Sequence, residues 1–105
     1  MIPRDVLDRI GDRWTVAVLT EIGSGSLRYS EIHLRLPGCS QKMLTQTLRI
    51  LEHDGYLIRT VYAQVPPRVD YRLTEQASSL LIALGHLEGW SRSHRRIPSA
   101  ALRSA

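Results

Sequence analysis

Residues 39–57, CSQKMLTQTLRILEHDGYL, decide the fold. Ser40 is a good helix N-cap, because its hydroxyl oxygen accepts from an amide of the first turn that has no other partner. Asp54-Gly55 is a good stop. At about 100° per residue, Met43, Leu44, Thr47, Leu48, Ile50 and Leu51 fall on one side of the intervening helix. Gln41, Lys42, Thr45, Gln46, Arg49 and His53 fall on the other. The polar side consists of residue types that read base edges: glutamine pairs bidentately with adenine, and arginine or lysine with guanine. Any amphipathic surface helix shows the same division, so the flanking segments must decide.

Downstream, residues 57–65 (LIRTVYAQV) are rich in β-branched and aromatic residues and predict a strand. RVDYRL follows, with Val69, Tyr71 and Leu73 on one face. Proline cannot donate to a sheet ladder, so Pro66 and Pro67 belong at the hairpin tip, where they stiffen the turn and hold Arg68 out toward a partner. A rigid turn with a solvated arginine is the plainer reading of the tip alone. Upstream, Ser30 is expected to cap a short helix, SEIHLRLPG, with Ile32 and Leu36 inward and Pro37-Gly38 as a turn. Two helices joined by a tight turn and followed by a β-hairpin make a winged helix-turn-helix.

Further upstream, RDVLDRIG predicts a helix with Val6, Leu7 and Ile10 on one face. Asp12 is placed to cap a second helix carrying Trp14, Val18, Leu19 and Ile22. LRY is short enough to be only a brief strand. Thr74 caps a long final helix whose apolar residues include Leu80, Leu84, Leu87 and Trp90. The fold class is therefore α+β, mainly helical. Residues 1–96 read as one domain, and residues 97–105, which lack pattern, as a flexible tail.

Composition agrees. The chain has 105 residues, 43% hydrophobic and 23% charged, near the globular average. Fourteen basic residues oppose ten acidic ones for a net charge of +4, and thirteen of the fourteen are arginine. Arginine suits phosphate and guanine through its planar fork, although genomic base composition also enriches it. No apolar run approaches the ~20 residues that span a bilayer, and no signal-peptide core is seen, so a cytoplasmic location without membrane contact is expected. The single cysteine, Cys39, excludes an internal disulfide.

The segments LDRIGDRWTVAVLTEI, LRYSEI, LPGCSQKMLTQTLRILEHDGYLIRTVY and VPPRVDYRLT resemble the HxlR-type winged-helix transcriptional regulators in order and spacing, from about Val6 to Trp90. The resemblance implies a dimeric DNA-binding regulator, usually a repressor and sometimes an activator, whose first and last helices form the dimer interface. Many members carry a sensing cysteine just before the first helix. Here that region is Met1-Ile2-Pro3, with no thiol.

The expected partner is double-stranded DNA. Gln41, Lys42, Thr45, Gln46 and Arg49 are expected to face the major groove, with Ser40 donating to a phosphate. Pro66, Pro67 and Arg68 form a wing on the minor groove or backbone, supported by Arg59. Arg28 and Ser30 are candidate phosphate contacts, as are Arg13 and Trp14, although Trp14 fits a core better. Asp70 and Glu75 read as solvated acids or caps, and Arg35 and Arg72 as solvated. Val6, Leu7, Ile10, Leu80, Leu84, Leu87 and Trp90 are the candidate homodimer surface; otherwise the last helix closes the monomer's own core. Cys39, just before a helix, is a candidate oxidant sensor through a lowered thiol pKa, or an ordinary buried residue. No cofactor or metal is expected: there is no Gly-rich phosphate loop, and His33, His53, His86 and His94 lack ligand spacing. An enzyme is thus disfavoured, and the rival to DNA binding is a winged-helix protein-interaction module. The pattern leaves the effector, small molecule or oxidant, unidentified.

Overall fold

A computed structural model describes residues 1–94. The expected boundary at 96 and the tail at 97–105 lie outside the described residues. The elements run α1 (Arg4–Gly11), α2 (Arg13–Ile22), β1 (Ser26–Arg28), α3 (Tyr29–Arg35), α4 (Gln41–His53), β2 (Leu57–Tyr62), β3 (Arg68–Leu73) and α5 (Glu75–His94). The three strands form an antiparallel sheet in the order β1-β3-β2. This is the winged helix-turn-helix order expected from the sequence, with α3 and α4 as the helix pair and β2-β3 as the wing.

Local chemistry explains most boundaries. The Asp12 carboxylate accepts from the amides of Trp14 and Thr15 at 2.9 and 3.1 Å and caps α2. Ser40 Oγ accepts from the Met43 amide at 3.1 Å and caps α4. Thr74 Oγ1 accepts from the Ala77 amide and donates to the Gly55 carbonyl at 2.7 Å, tying the start of α5 to the end of α4. Gly55, at φ 82°, ends α4 in a backbone conformation that a side chain would strain. Gly38, at φ 92°, makes the α3–α4 turn in the same way.

Helix α2 is central. Its Thr15, Val18, Leu19 and Ile22 are buried, and it packs on α1, α3, α4, α5 and β3. Leu27, Ile32, Leu36, Cys39, Leu44, Leu48, Leu51, Tyr56, Leu57, Tyr71 and Ala77 complete the core. Trp14 packs against that core, with the Arg13 guanidinium carbon 4.9 Å from its ring centroid.

Three local expectations are corrected. Ser30 is not the cap of α3. The helix begins at Tyr29, and Glu31 reaches back to accept from the Arg28 amide at 2.9 Å, so the carboxylate three residues in serves the N-terminus instead. Met43 is 42% exposed rather than inward. The buried residues of α4 centre on Leu44, Thr47, Leu48 and Leu51, and Met43 lies about 100° from Leu44 on the wheel. Strand β2 ends at Tyr62 rather than 65, because the ladder closes at the Tyr62–Arg68 pair and the prolines lie beyond it.

Candidate nucleic-acid interface

The polar face of α4 stands outward as expected. Gln41, Lys42, Gln46 and Arg49 are exposed and Thr45 is half-buried. Together with Tyr29 and Ile50 these five line one concavity. The Ser40 hydroxyl uses an oxygen lone pair in capping, so its hydrogen stays available to donate outward.

Tyr29 is the site residue that sequence reasoning missed. Its hydroxyl lies 3.1 Å from the Gln41 carbonyl oxygen and 3.2 Å from Thr45 Oγ1. Its ring stacks on His33, with centroids 6.2 Å apart. His33 Nε2–H in turn donates to the Cys39 carbonyl at 3.0 Å. These contacts stitch α3 to the turn and to the first two turns of α4. The available signal was a lone aromatic opening a short helix, with the histidine one turn later.

A second cleft runs between α3 and the wing. Arg28 and Ser30 line one side, and Pro66, Pro67 and Arg68 the other. The candidate phosphate contacts therefore lie beside the wing. Pro66 and Pro67 are exposed between the strands, and the Val65–Pro66 peptide is cis.

Arg68 departs from expectation. It does not project freely from the tip but belongs to β3, opposite Tyr62. Its Nε and Nη2 donate to the two oxygens of Asp70 at 3.0 and 2.9 Å. Its guanidinium carbon lies 5.0 Å from the Tyr62 ring centroid. Asp70 is likewise not a solvated acid; it is 6% exposed and stands directly opposite Arg28 in the β1–β3 ladder. The hydrogen bonds from Arg68 hold the Asp70 carboxyl below its ordinary range, and the charges of Arg68 and Arg28 add to this. Arg59, expected to support Arg68, instead faces Tyr71 across the ladder and lines a hollow with Thr45 and Arg49. It extends the α4 face rather than the wing tip.

Cys39 is buried at 4% exposure, and burial pushes its thiol pKa up, opposite to the depression expected at a helix start. The turn carries the sulfur into the core, where desolvation opposes the thiolate.

On the opposite side, Ala77 is the one buried residue of α5. Leu80 and Leu84 are half-buried, and Leu87 and Trp90 are exposed at 54% and 59%. On α1, Val6 and Ile10 are half-buried and Leu7 is exposed. Ile10, Val16, Leu81, Leu84 and Leu87 line a shared apolar groove. Of the expected α1 and α5 residues, Ile10, Leu84 and Leu87 thus share one groove, whereas Leu80 packs against the chain's own core.

Among the described residues, no three His, Cys, Asp or Glu side chains converge as a metal site, and no helix is long and apolar enough to cross a membrane.

The sequence pattern of the HxlR-like helix-turn-helix family matches residues 9–97. The chain belongs to that family. An HTH-type transcriptional regulator of Methanothermobacter thermautotrophicus is 44% identical over 88 residues, covering 84% of this chain and 67% of that protein. The HTH-type regulator YtcD of Bacillus subtilis is also 44% identical over 88 residues, covering 84% of this chain and 70% of its own. The redox regulator HypR in its reduced form has the same fold at TM-score 0.79 and 37% identity, over 96% of both chains. The relatives of this HxlR-like chain are helix-turn-helix transcriptional regulators.

Proposed function

We propose that this transcriptional regulator acts as a homodimer that binds double-stranded DNA sequence-specifically, and that it represses. Helix α4 enters the major groove, where Gln41, Lys42, Thr45, Gln46 and Arg49 meet base edges. The wing, with Pro66, Pro67 and Arg68, lies on the minor groove or backbone. Ser40, Arg28 and Ser30 meet phosphates, and Arg59 extends the α4 face. The working unit is the segment 1–96, and it works in the cytoplasm as a binding protein rather than an enzyme.

The single observation that carries this reading is the shared concavity on α4, where five polar side chains face outward while Leu44, Leu48 and Leu51 anchor the same helix in the core. A groove-reading helix needs both. Capping by Ser40 leaves its hydroxyl hydrogen free at the end of the helix that approaches DNA first. The net charge of +4 favours a polyanion.

The open apolar surfaces of α1 and α5 support pairing with a second copy. A twofold dimer reads an inverted repeat with half-sites about one helical turn, ~34 Å, apart.

Fluorescence anisotropy on labelled duplexes, across a salt series, tests the reading. Affinity is expected to fall linearly on a log–log plot against salt, by about 0.9 per phosphate neutralised. One sequence is expected to be preferred over its scrambled form. Absence of salt-dependent duplex binding points instead to a protein-interaction module.

A further inference from the structure

The contact between Tyr29 and Thr45 carries an inference about which bases α4 prefers, and it rests on the DNA-binding reading above. The Tyr29 hydroxyl has one hydrogen and two neighbours. Gln41 O, at 3.1 Å, is a carbonyl oxygen and only accepts. The Tyr29 hydrogen therefore goes to Gln41. Thr45 Oγ1, at 3.2 Å, then makes its bond by donating its own hydrogen to the Tyr29 oxygen. The chain of protons runs from Thr45 to Tyr29 to Gln41. In this arrangement Thr45 has spent its one donor and presents oxygen lone pairs and a methyl group to the surrounding concavity.

We infer that Tyr29 is a specificity-determining positioning residue: it fixes Thr45 as a hydrogen-bond acceptor, so Thr45 selects a base that offers an amino group in the major groove. Adenine N6 and cytosine N4 offer one, whereas guanine O6 and thymine O4 offer acceptors. A freely rotating threonine hydroxyl serves either kind of base. Tyr29 removes that freedom through its contact with Thr45. Its ring is held by stacking on His33 and by the attachment of His33 to the Cys39 carbonyl, so the hydroxyl is set by α3 and by the turn.

The test begins with the best-bound duplex selected from a random pool. Every position of one half-site is then replaced by each of the other bases, and binding is measured for the parent, Tyr29→Phe, Thr45→Val and Thr45→Ser. The parent is expected to show one position at which adenine or cytosine binds roughly three- to tenfold better than guanine or thymine, the range of one net hydrogen bond. Tyr29→Phe is expected to erase most of that preference while leaving every other position unchanged. Thr45→Val is expected to abolish it, and Thr45→Ser to keep it. A Tyr29→Phe protein with unchanged preferences, or one whose altered position favours guanine or thymine in the parent, overturns the inference alone. A parent with no sequence preference overturns the DNA-binding reading and the inference with it.

Discussion

The carboxylate of Asp70 grips the guanidinium of Arg68 side-on, with Nε at 3.0 Å and Nη2 at 2.9 Å. A bidentate arrangement of this kind fixes orientation as well as charge. Two of the five guanidinium N–H groups are used, and the others make no hydrogen bond among the described residues. The wing therefore carries an arginine whose direction is set before any partner arrives. The prolines lie outside the ladder and shape the tip, while Asp70 and Tyr62 place the side chain.

This pair makes stability depend on acid. Asp70 titrates below the unfolded carboxyl value of about 3.9, first because Arg68 donates to it. A carboxyl whose pKa is lower folded than unfolded stabilises the fold above the unfolded value and loses that contribution as pH falls through the folded one. Thermal unfolding midpoints of the parent are thus expected to fall more steeply below about pH 4 than those of Asp70→Asn. At pH 7 Asp70→Asn is expected to be the less stable of the two. Parallel acid limbs in calorimetry contradict this.

Arg49 and Arg68 are expected to differ in kind. On the proposed reading Arg49 meets a base edge, so Arg49→Ala is expected to weaken the selected duplex by about 1–3 kcal/mol, with little change on non-specific DNA. Arg68 is proposed to meet the DNA backbone, so Arg68→Ala is expected to weaken both duplexes and reduce the salt slope by about 1. Circular dichroism run in parallel keeps folding separate from binding. Identical losses on the two duplexes for Arg49→Ala sink this division of roles.

How much of this was legible in the sequence depends on where each signal sits. The caps at Asp12, Ser40 and Thr74, the glycine stop at Gly55 and the split of α4, apart from Met43 and Ile50, were legible, because the bonds and spacings involved are local. The start of α3 was misplaced because Ser30 and Glu31 are both good N-terminal residues, and backbone geometry favoured the Glu31 carboxylate. Asp70 looked solvated because its burial comes from the β1–β3 pairing with Arg28, more than forty positions away in sequence. Tyr29 was missed for the same reason: its partners are Gln41 and Thr45 on the next helix. Periodicity records which side of an element is apolar; it is silent on which polar groups meet across the turn.

Thr15 offers a test of packing. Its Oγ1 is buried and has no hydrogen-bond partner among the described residues, while the residue is 1% exposed. Burying an unpaired hydroxyl is costly, by about 1–3 kcal/mol in protein mutational data. Thr15→Val keeps the shape and removes the hydroxyl, so the denaturant midpoint is expected to rise with the slope unchanged. A lower midpoint contradicts the assignment of Oγ1 as unsatisfied.

The apolar end of α5 predicts the assembly. Leu87 and Trp90 are exposed, so Leu87→Glu is expected to leave the monomer folded and shift sedimentation from dimer to monomer. If, as proposed, a dimer reads the half-sites in pairs, the same variant is expected to bind a full inverted repeat no better than a half-site. A parent protein that sediments as a monomer at micromolar concentration removes the basis of this expectation.

The central claim is that the outward face of α4 reads duplex sequence. Selection from a random duplex pool, repeated with the parent and with Arg49→Ala, tests it most directly. The parent is expected to enrich an inverted repeat, and Arg49→Ala to lose the enrichment at one position of each half-site. A pool that stays random through successive rounds with a folded parent protein contradicts the account.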